Sequence, residues 1–257
     1  MEYQSIMKSV MEGYFLSVKE VNFVVDCIKN KKFSDSEFVS LLVALQTRNN
    51  VKGMSIDESS YFINAFNDEK AKDLENLFCN SGTGGDKIKT INISTIASII
   101  IASLGVKVFK NGSMGTTGGI GAKGALECIG INPLKELDEA LEEVRKGGIG
   151  YYDFSKIVPI KARPGTPTPL NYLGPLCNPA KLRYKLMGCV NEKFIRIVEP
   201  ILEKTCENYM ITYNPSIDEI SLSEPTLIIE KRNGIRKEYF FDPKNEGIPT
   251  IRYEEIG

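Results

Sequence analysis

Two glycine-rich segments constrain this chain more than anything else in it: NSGTGGDKIKTINIST, from Asn80 to Thr95, and KNGSMGTTGGIGAKGALECIG, from Lys110 to Gly130. At a strand-to-helix junction, glycines let successive backbone N–H groups approach an anion, and the dipole of the following helix adds to the attraction. Alone, the first segment reads as a tight turn before it reads as an anion site. The pair changes that reading. Loops that follow neighbouring strands of a parallel sheet face each other at its carboxyl edge, where ligands of open α/β sheets bind.

The rest of the chain supports such a sheet. From Ser5 to about Phe66 apolar residues recur at helical spacing: Ile6, Val10 and Met11, then Val21, Val24, Val25 and Ile28, then Phe38, Leu41, Leu42 and Leu45. SVKE and SDSE read as capping boxes that open the second and third of about four helices. After Leu74, strand-length runs such as VKVFK, 106–110, alternate with helical runs such as STIASIIIASLG, 94–105. This predicts an α/β fold with an all-α N-terminal domain and a mostly parallel sheet flanked by helices, divided between about Asp68 and Phe78. Further helices are expected at Gly121 to Ile129, Leu134 to Lys146 and Glu192 to Cys206. A strand is expected at Asn208 to Thr212, and a hairpin through PTLIIEKRNGIRKEYFF turns at Asn233-Gly234.

Composition removes several classes of function. With 32 Lys plus Arg against 33 Asp plus Glu, no basic field exists to attract nucleic acid or an anionic membrane, so a bound phosphate must be held locally. Six separated cysteines, with no CxxC pair and no histidine, argue for reduced, mostly buried thiols in a cytoplasmic protein rather than a zinc site or a disulfide framework. No segment reads as a secretory signal or a membrane span. Without histidine, chemistry by positioning and charge is favoured over proton shuttling.

Ser94 and Thr95 place hydroxyls where phosphate oxygens or a metal could be bound. Lys110 offers a point charge for phosphate, against the plainer reading of a solvated strand-end lysine, and Thr116 and Thr117 offer hydroxyls. In SIDEISL, Asp218 and Glu219 form a carboxylate pair suited to Mg2+, although an exposed acidic turn explains such a pair as simply.

Together these pieces resemble the anthranilate phosphoribosyltransferases, relatives of the pyrimidine nucleoside phosphorylases. The matching segments are GTGGD at Gly82 to Asp86, NIST at Asn92 to Thr95, KNGS at 110–113 for the family's KHGN, GALECIG, GPLCNP at 174–179, and Asp218-Glu219. The resemblance implies the type III phosphoribosyltransferase fold, with a helical, dimerising domain at 1–70 and an α/β domain at 71–257. It implies a site for phosphoribosyl pyrophosphate (PRPP) at Gly82, Thr83, Gly84, Gly85, Asp86, Thr90, Asn92, Ile93, Ser94, Thr95, Lys110, Asn111, Gly112 and Thr117. Mg2+ would sit among Ser94, Asp218 and Glu219, and an aromatic or heterocyclic acceptor near Ser113 and Lys161. A homodimer is implied, and the reaction would move ribose 5-phosphate from pyrophosphate to an acceptor nitrogen.

Departures from the family concentrate on the acceptor side. The histidine, asparagine and arginine of KHGNR become Asn111, Ser113 and Met114; the following Ser-Ser becomes Thr117 and Gly118; GSAD becomes Gly121 to Gly124. The segment between 150 and 158 is shorter and lacks the histidine that lines the acceptor pocket, and an acceptor-holding arginine becomes Lys161. The family also continues for several helices and a strand past the equivalent of Gly257. These departures point to a divergent phosphoribosyltransferase-like protein that could take a different acceptor; an anthranilate enzyme, its acceptor held by Lys161 and backbone groups, stays open, with weak turnover expected. The GTTGG of the second loop keeps a phosphate-dependent nucleoside phosphorylase open as an alternative, beside a non-catalytic binder of PRPP or another phosphorylated ligand.

Overall fold

In the computed structural model, residues 2–83, 87–88, 91–112, 122–128, 130, 132–133, 136–153 and 168–255 are described. Four helices open the chain: α1 (Tyr3–Met11), α2 (Val18–Lys29), α3 (Asp35–Lys52) and α4 (Ile56–Phe66). Ser17 with Glu20 and Ser34 with Glu37 form the two expected capping boxes, each satisfying backbone donors at a helix start that would otherwise lack partners. The expected apolar faces of α2 and α3 are buried. In α1, Ile6 and Val10 are buried, whereas Met11, which follows the same apolar spacing, is 77% exposed and lies off the buried face.

A seven-stranded sheet follows, in the order β3-β2-β1-β4-β5-β6-β7. Its strands are β1 (Phe78–Gly82), β2 (Val108–Gly112), β3 (Ile149–Asp153), β4 (Tyr184–Cys189), β5 (Asn208–Tyr213), β6 (Thr226–Arg232) and β7 (Ile235–Phe241). The first five are mutually parallel and the last two form the expected hairpin. Asn233 at φ 51° and Gly234 at φ 78° supply its two left-handed turn residues.

The intervening helices are α5 (Ile93–Ser103), α6 (Ala122–Cys128), α7 (Leu137–Arg145), α8 (Leu170–Leu176) and α9 (Glu192–Thr205). Helix α5 covers one face of β1 to β3, while α7, α8 and α9 lie on the other. Several boundaries differ from expectation, and α5 ends at Ser103 rather than Gly105. The second strand runs two residues later than VKVFK, because Val106 and Lys107 still belong to the link after α5. Helix α7 is described from Leu137, where Glu136 and Glu139 close a capping box; the expected start at Leu134 lies outside the described residues.

One apolar core joins the helical segment to the sheet. Phe38, Leu41, Phe62 and Phe66 share it with Leu173 of α8, Val198 and Ile201 of α9, and Met187 and Ile211 of the strands. A buried ion pair pins the first loop to this body: Arg48 meets the Glu58 carboxylate, Arg48 Nη1 also donates to Tyr14 O at 2.9 Å, and Glu58 Oε1 accepts from Leu16 N at 2.7 Å. Five of the six cysteines are buried, all are free thiols, and Cys128 is exposed. Among the described residues no helix is long and apolar enough to cross a membrane.

Candidate active site

The chain runs from β1 outward to β2 and β3, then crosses back to place β4 on the other side of β1. That reversal opens a crevice at the carboxyl ends of β1 and β4. There Gly82 and Gly188 stand side by side in register. Both make room for one residue. A Cβ on Gly82 would lie 1.8 Å from Asp218 Oδ2, and a Cβ on Gly188 would lie 1.9 Å from the Asp218 backbone oxygen. Thr212 Oγ1, at the end of β5, donates to that same oxygen at 3.0 Å. Asp218 is therefore seated across two strand ends, its carboxylate over Gly82 and its backbone over Gly188, where a side chain at either position would displace it. Thr83 N donates to Gly188 O at 2.9 Å, and Lys87 N to Ser216 O at 3.1 Å, so the first glycine-rich loop and the loop carrying Asp218-Glu219 are tied together.

Helix α5 delivers its N-terminus to the same face. Asn92 is its N-cap, and its carbonyl accepts from Thr95 N and Ile96 N at 3.1 Å. Beneath this end Asn80 Nδ2 donates to Ser94 O at 2.7 Å, and Ser98 Oγ donates to Asn80 Oδ1. Lys110, only 3% exposed, completes the network, with Nζ donating to Asn80 O at 3.2 Å, Asn80 Oδ1 at 3.1 Å and Ser94 Oγ at 3.4 Å. It is not a solvated strand-end lysine. Burial pushes its pKa down to about 8; Lys185 adds to this, while Cys79 and Asp218 oppose it. A positive charge this desolvated, below a helix N-terminus, favours an anion above it.

The other face of the sheet is locked by the GPLCNP segment. Asn111 Nδ2 donates to Gly174 O at 3.4 Å and to Cys177 O, Asn178 Nδ2 donates to Phe109 O at 3.1 Å, and Ser81 Oγ donates to Pro175 O at 3.1 Å. Lys185 Nζ reaches the same Pro175 O at 2.8 Å and lies 3.5 Å from Cys79 Sγ. The carboxyl halves of β1 and β2 and the start of β4 are thereby bolted to one turn.

Of the residues expected at the site, the structure brings Gly82, Thr83, Asn92, Ile93, Ser94, Lys110 and Asp218-Glu219 to this edge. Thr95 is 1% exposed, and its hydroxyl has no hydrogen-bond partner among the described residues, so the accessible hydroxyl is that of Ser94. Asn111 is buried, with its amide engaged by the α8 turn. Gly112 is crossed by Tyr151, whose hydroxyl would lie 2.8 Å from a Cβ there. Gly84, Gly85, Asp86, Thr90, Ser113, Thr116, Thr117 and Lys161 lie outside the described residues. Sequence reasoning missed Asn80, Gly188 and Thr212; only Gly188 carried a signal, as a lone glycine near the end of an apolar strand.

The donors fit a hard cation. Asp218 and Glu219 are half-buried carboxylates, the glycine pair seats Asp218 at the strand ends, and the Ser94 hydroxyl, 3.4 Å from Lys110 Nζ, belongs to the same edge of the sheet. Among the described residues no cluster of three or more His, Cys, Asp or Glu offers a rival site.

The sequence profile of the glycosyl transferase family a/b domain matches residues 74–257. The anthranilate phosphoribosyltransferase of Dictyoglomus thermophilum is 30% identical over 97% of this chain and 77% of its own length. The chain belongs to the anthranilate phosphoribosyltransferase family. It is thus an enzyme of glycosyltransferase type, and a divergent one: the Pyrobaculum islandicum member of the family is 26% identical over 95% of this chain. The family fold is likewise shared. The Thermus thermophilus anthranilate phosphoribosyltransferase superposes with a TM-score of 0.79 at 23% identity, covering 98% of this chain and 77% of that one. The Saccharomyces cerevisiae anthranilate phosphoribosyltransferase, in its complex with PRPP and Mg, superposes at 0.76 with 18% identity, covering 99% and 76%.

Proposed function

We propose that this protein transfers the phosphoribosyl group of PRPP to the nitrogen of an aromatic or heterocyclic acceptor, with Mg2+ held by Asp218, Glu219 and Ser94. The observation that carries the reading is the in-register pair Gly82 and Gly188, which seats Asp218 at the switch point of the sheet beside the α5 N-terminus and Lys110. In the reaction the bond from ribose C1 to the pyrophosphate oxygen breaks, a C1–N bond forms, and the acceptor's N–H proton passes to solvent. Bound at the carboxylates, Mg2+ would neutralise charge on the departing pyrophosphate. The chain's own part is to hold the pyrophosphate against the backbone N–H groups of the first loop and α5, over the Lys110 charge. Asn80 holds the α5 N-terminus and Lys110 in place before the charge develops, which is where such sites gain most.

The acceptor need not be anthranilate. The family's histidine position is Asn111, which is engaged in the fold, and Lys161 in place of arginine keeps a charge without the bidentate fork that grips a carboxylate. The exposed apolar residues Met11, Tyr14, Phe15 and Val18 support a homodimer through the helical domain, residues 1–70, in a cytoplasmic enzyme.

The test is calorimetric titration with PRPP, with and without Mg2+, of the wild type and of an Asp218→Asn/Glu219→Gln variant. Mg2+-dependent binding that the variant loses supports the reading and opens a screen of amine acceptors, anthranilate among them. Absence of binding by a folded wild type sinks it, and phosphate-dependent nucleoside cleavage would replace it with phosphorolysis.

A further inference from the structure

The loop that carries Asp218 and Glu219, between β5 and β6, is held from outside by the last residues of the chain. Ser221, fully buried, takes Ser223 N at 3.0 Å and Glu224 N at 3.2 Å on its Oγ, and its own N–H donates to Thr226 Oγ1 at 2.9 Å. Asn214, 1% exposed, accepts from Ser216 N at 2.9 Å. These two residues flank the carboxylate pair, one on each side. A single group joins them. The Tyr253 hydroxyl lies 2.9 Å from Ser221 Oγ and 3.2 Å from Asn214 Oδ1, with Glu224 Oε2 at 3.4 Å. With Ser221 donating to the Tyr253 oxygen, the single Tyr253 proton goes to Asn214 Oδ1, the shorter of its two acceptor contacts. The strap has a second fastening, in which Ile251 N donates to Leu222 O at 3.2 Å and Ser223 Oγ donates to Ile251 O.

We propose that Tyr253 is a positioning residue for the metal-binding carboxylates: its hydroxyl closes the two ends of the 214–221 loop and so fixes Asp218 and Glu219 against the strand ends. The proposal rests on the phosphoribosyl-transfer reading for its consequence, though not for the clamp itself. Thr212 holds the Asp218 backbone from the sheet side, and Tyr253 holds the same loop from the solvent side. Without the hydroxyl the loop keeps the Thr212 and Lys87 bonds, but its 214 and 221 ends are no longer joined to each other, which loosens the hold on the carboxylates between them.

Tyr253→Phe keeps the ring and removes the bridging hydroxyl, and Ser223→Ala removes the second fastening independently. Hydrogen exchange of the 214–224 backbone in the ligand-free variants is expected to quicken about three- to tenfold, the equivalent of about one lost hydrogen bond, with little change elsewhere. In PRPP titrations, the Mg2+ concentration giving half-maximal binding is expected to rise by a similar factor, with binding recovered at saturating Mg2+. A merely structural role would lower stability without moving that Mg2+ midpoint. Unchanged loop exchange, or an unchanged midpoint in a wild-type-like background, overturns the proposal. If the wild type itself does not bind PRPP, the function reading fails, and the exchange data alone decide whether Tyr253 is the clamp.

Discussion

The Asp218 carboxylate occupies the space that a side chain on Gly82 would fill, with Oδ2 only 1.8 Å from the position of the missing Cβ. A residue at the end of the first strand and one beyond the fifth thus define each other. The order of the strands, not the length of chain between them, makes them neighbours.

Gly82→Ala and Gly188→Ala should therefore fail differently. The methyl at 82 meets the carboxylate end of a side chain, which can rotate away, so the melting temperature should stay close to wild type while Mg2+-dependent PRPP affinity falls about 10- to 100-fold. At 188 the methyl meets the Asp218 backbone, with oxygen at 1.9 Å and carbon at 2.8 Å. The whole loop must move, and a further loss of about 1–3 kcal/mol in stability is expected. Thermal melts paired with titrations check this, and an alanine at either site that binds normally would remove the seat from the argument.

Lys110 links function to a folding penalty. Its pKa, lowered from 10.5 to about 8 chiefly by burial, means that the unfolded chain binds the proton more tightly than the folded one. Below about pH 8 both states are charged and folding carries the full penalty; as pH rises to about 10.5 the penalty is relieved, by an amount of order 3 kcal/mol. Lys110→Met should be at least as stable as the wild type at pH 7, with its advantage shrinking toward pH 10, while PRPP binding weakens at least about tenfold. Denaturation midpoints against pH provide the check, and a variant that is markedly less stable at pH 7 would refute the penalty.

Local grammar was legible in the sequence and long-range geometry was not. Ser17 with Glu20, Ser34 with Glu37 and the Asn233-Gly234 turn are decided within a few residues, and each stands where the pattern placed it. The second strand lies two residues beyond the VKVFK run because its end is set by pairing: Asn111 and Gly112 join the ladder through Tyr152 and Asp153 of β3, which no alternation rule can see. The glycine-rich motif pointed to an anion site, and Asp218-Glu219 to a cation, but that Gly188 exists to admit Asp218 depends on a neighbour 30 residues away in sequence. Lys110 as a buried rather than a solvated lysine depends equally on Asn80 and α5, which close over it only in three dimensions.

The helical segment offers an independent test of the core. Arg48 and Glu58 are 5% and 4% exposed and share the loop carrying Tyr14 and Leu16. Glu58→Gln leaves a buried guanidinium without its counter-charge and should lower stability by about 3–5 kcal/mol in urea denaturation. An Arg48→Met/Glu58→Leu pair removes both desolvation penalties and should recover part of that loss, less the cost of leaving Tyr14 O and Leu16 N without their partners. If the double variant is no better than the single one, the pair is a net source of stability.

Asn111 provides the last prediction, because the family resemblance and the geometry pull apart there. The position aligns with a histidine of the family's second loop, which invites the idea that restoring histidine restores anthranilate chemistry. In the structure the Asn111 amide instead donates to the carbonyls of Gly174 and Cys177, and its oxygen lies 3.3 Å from Cys79 Sγ. Asn111→Ala leaves those carbonyls without their donor and should cost about 1–3 kcal/mol, loosening the turn that anchors β1, β2 and β4. Asn111→His, with a larger ring in the same closed space, should destabilise as well and give no gain in turnover with anthranilate. Urea midpoints and an anthranilate assay on the two variants decide it: a stable histidine variant with new activity would show that the side chain at 111 faces the acceptor and not the α8 turn.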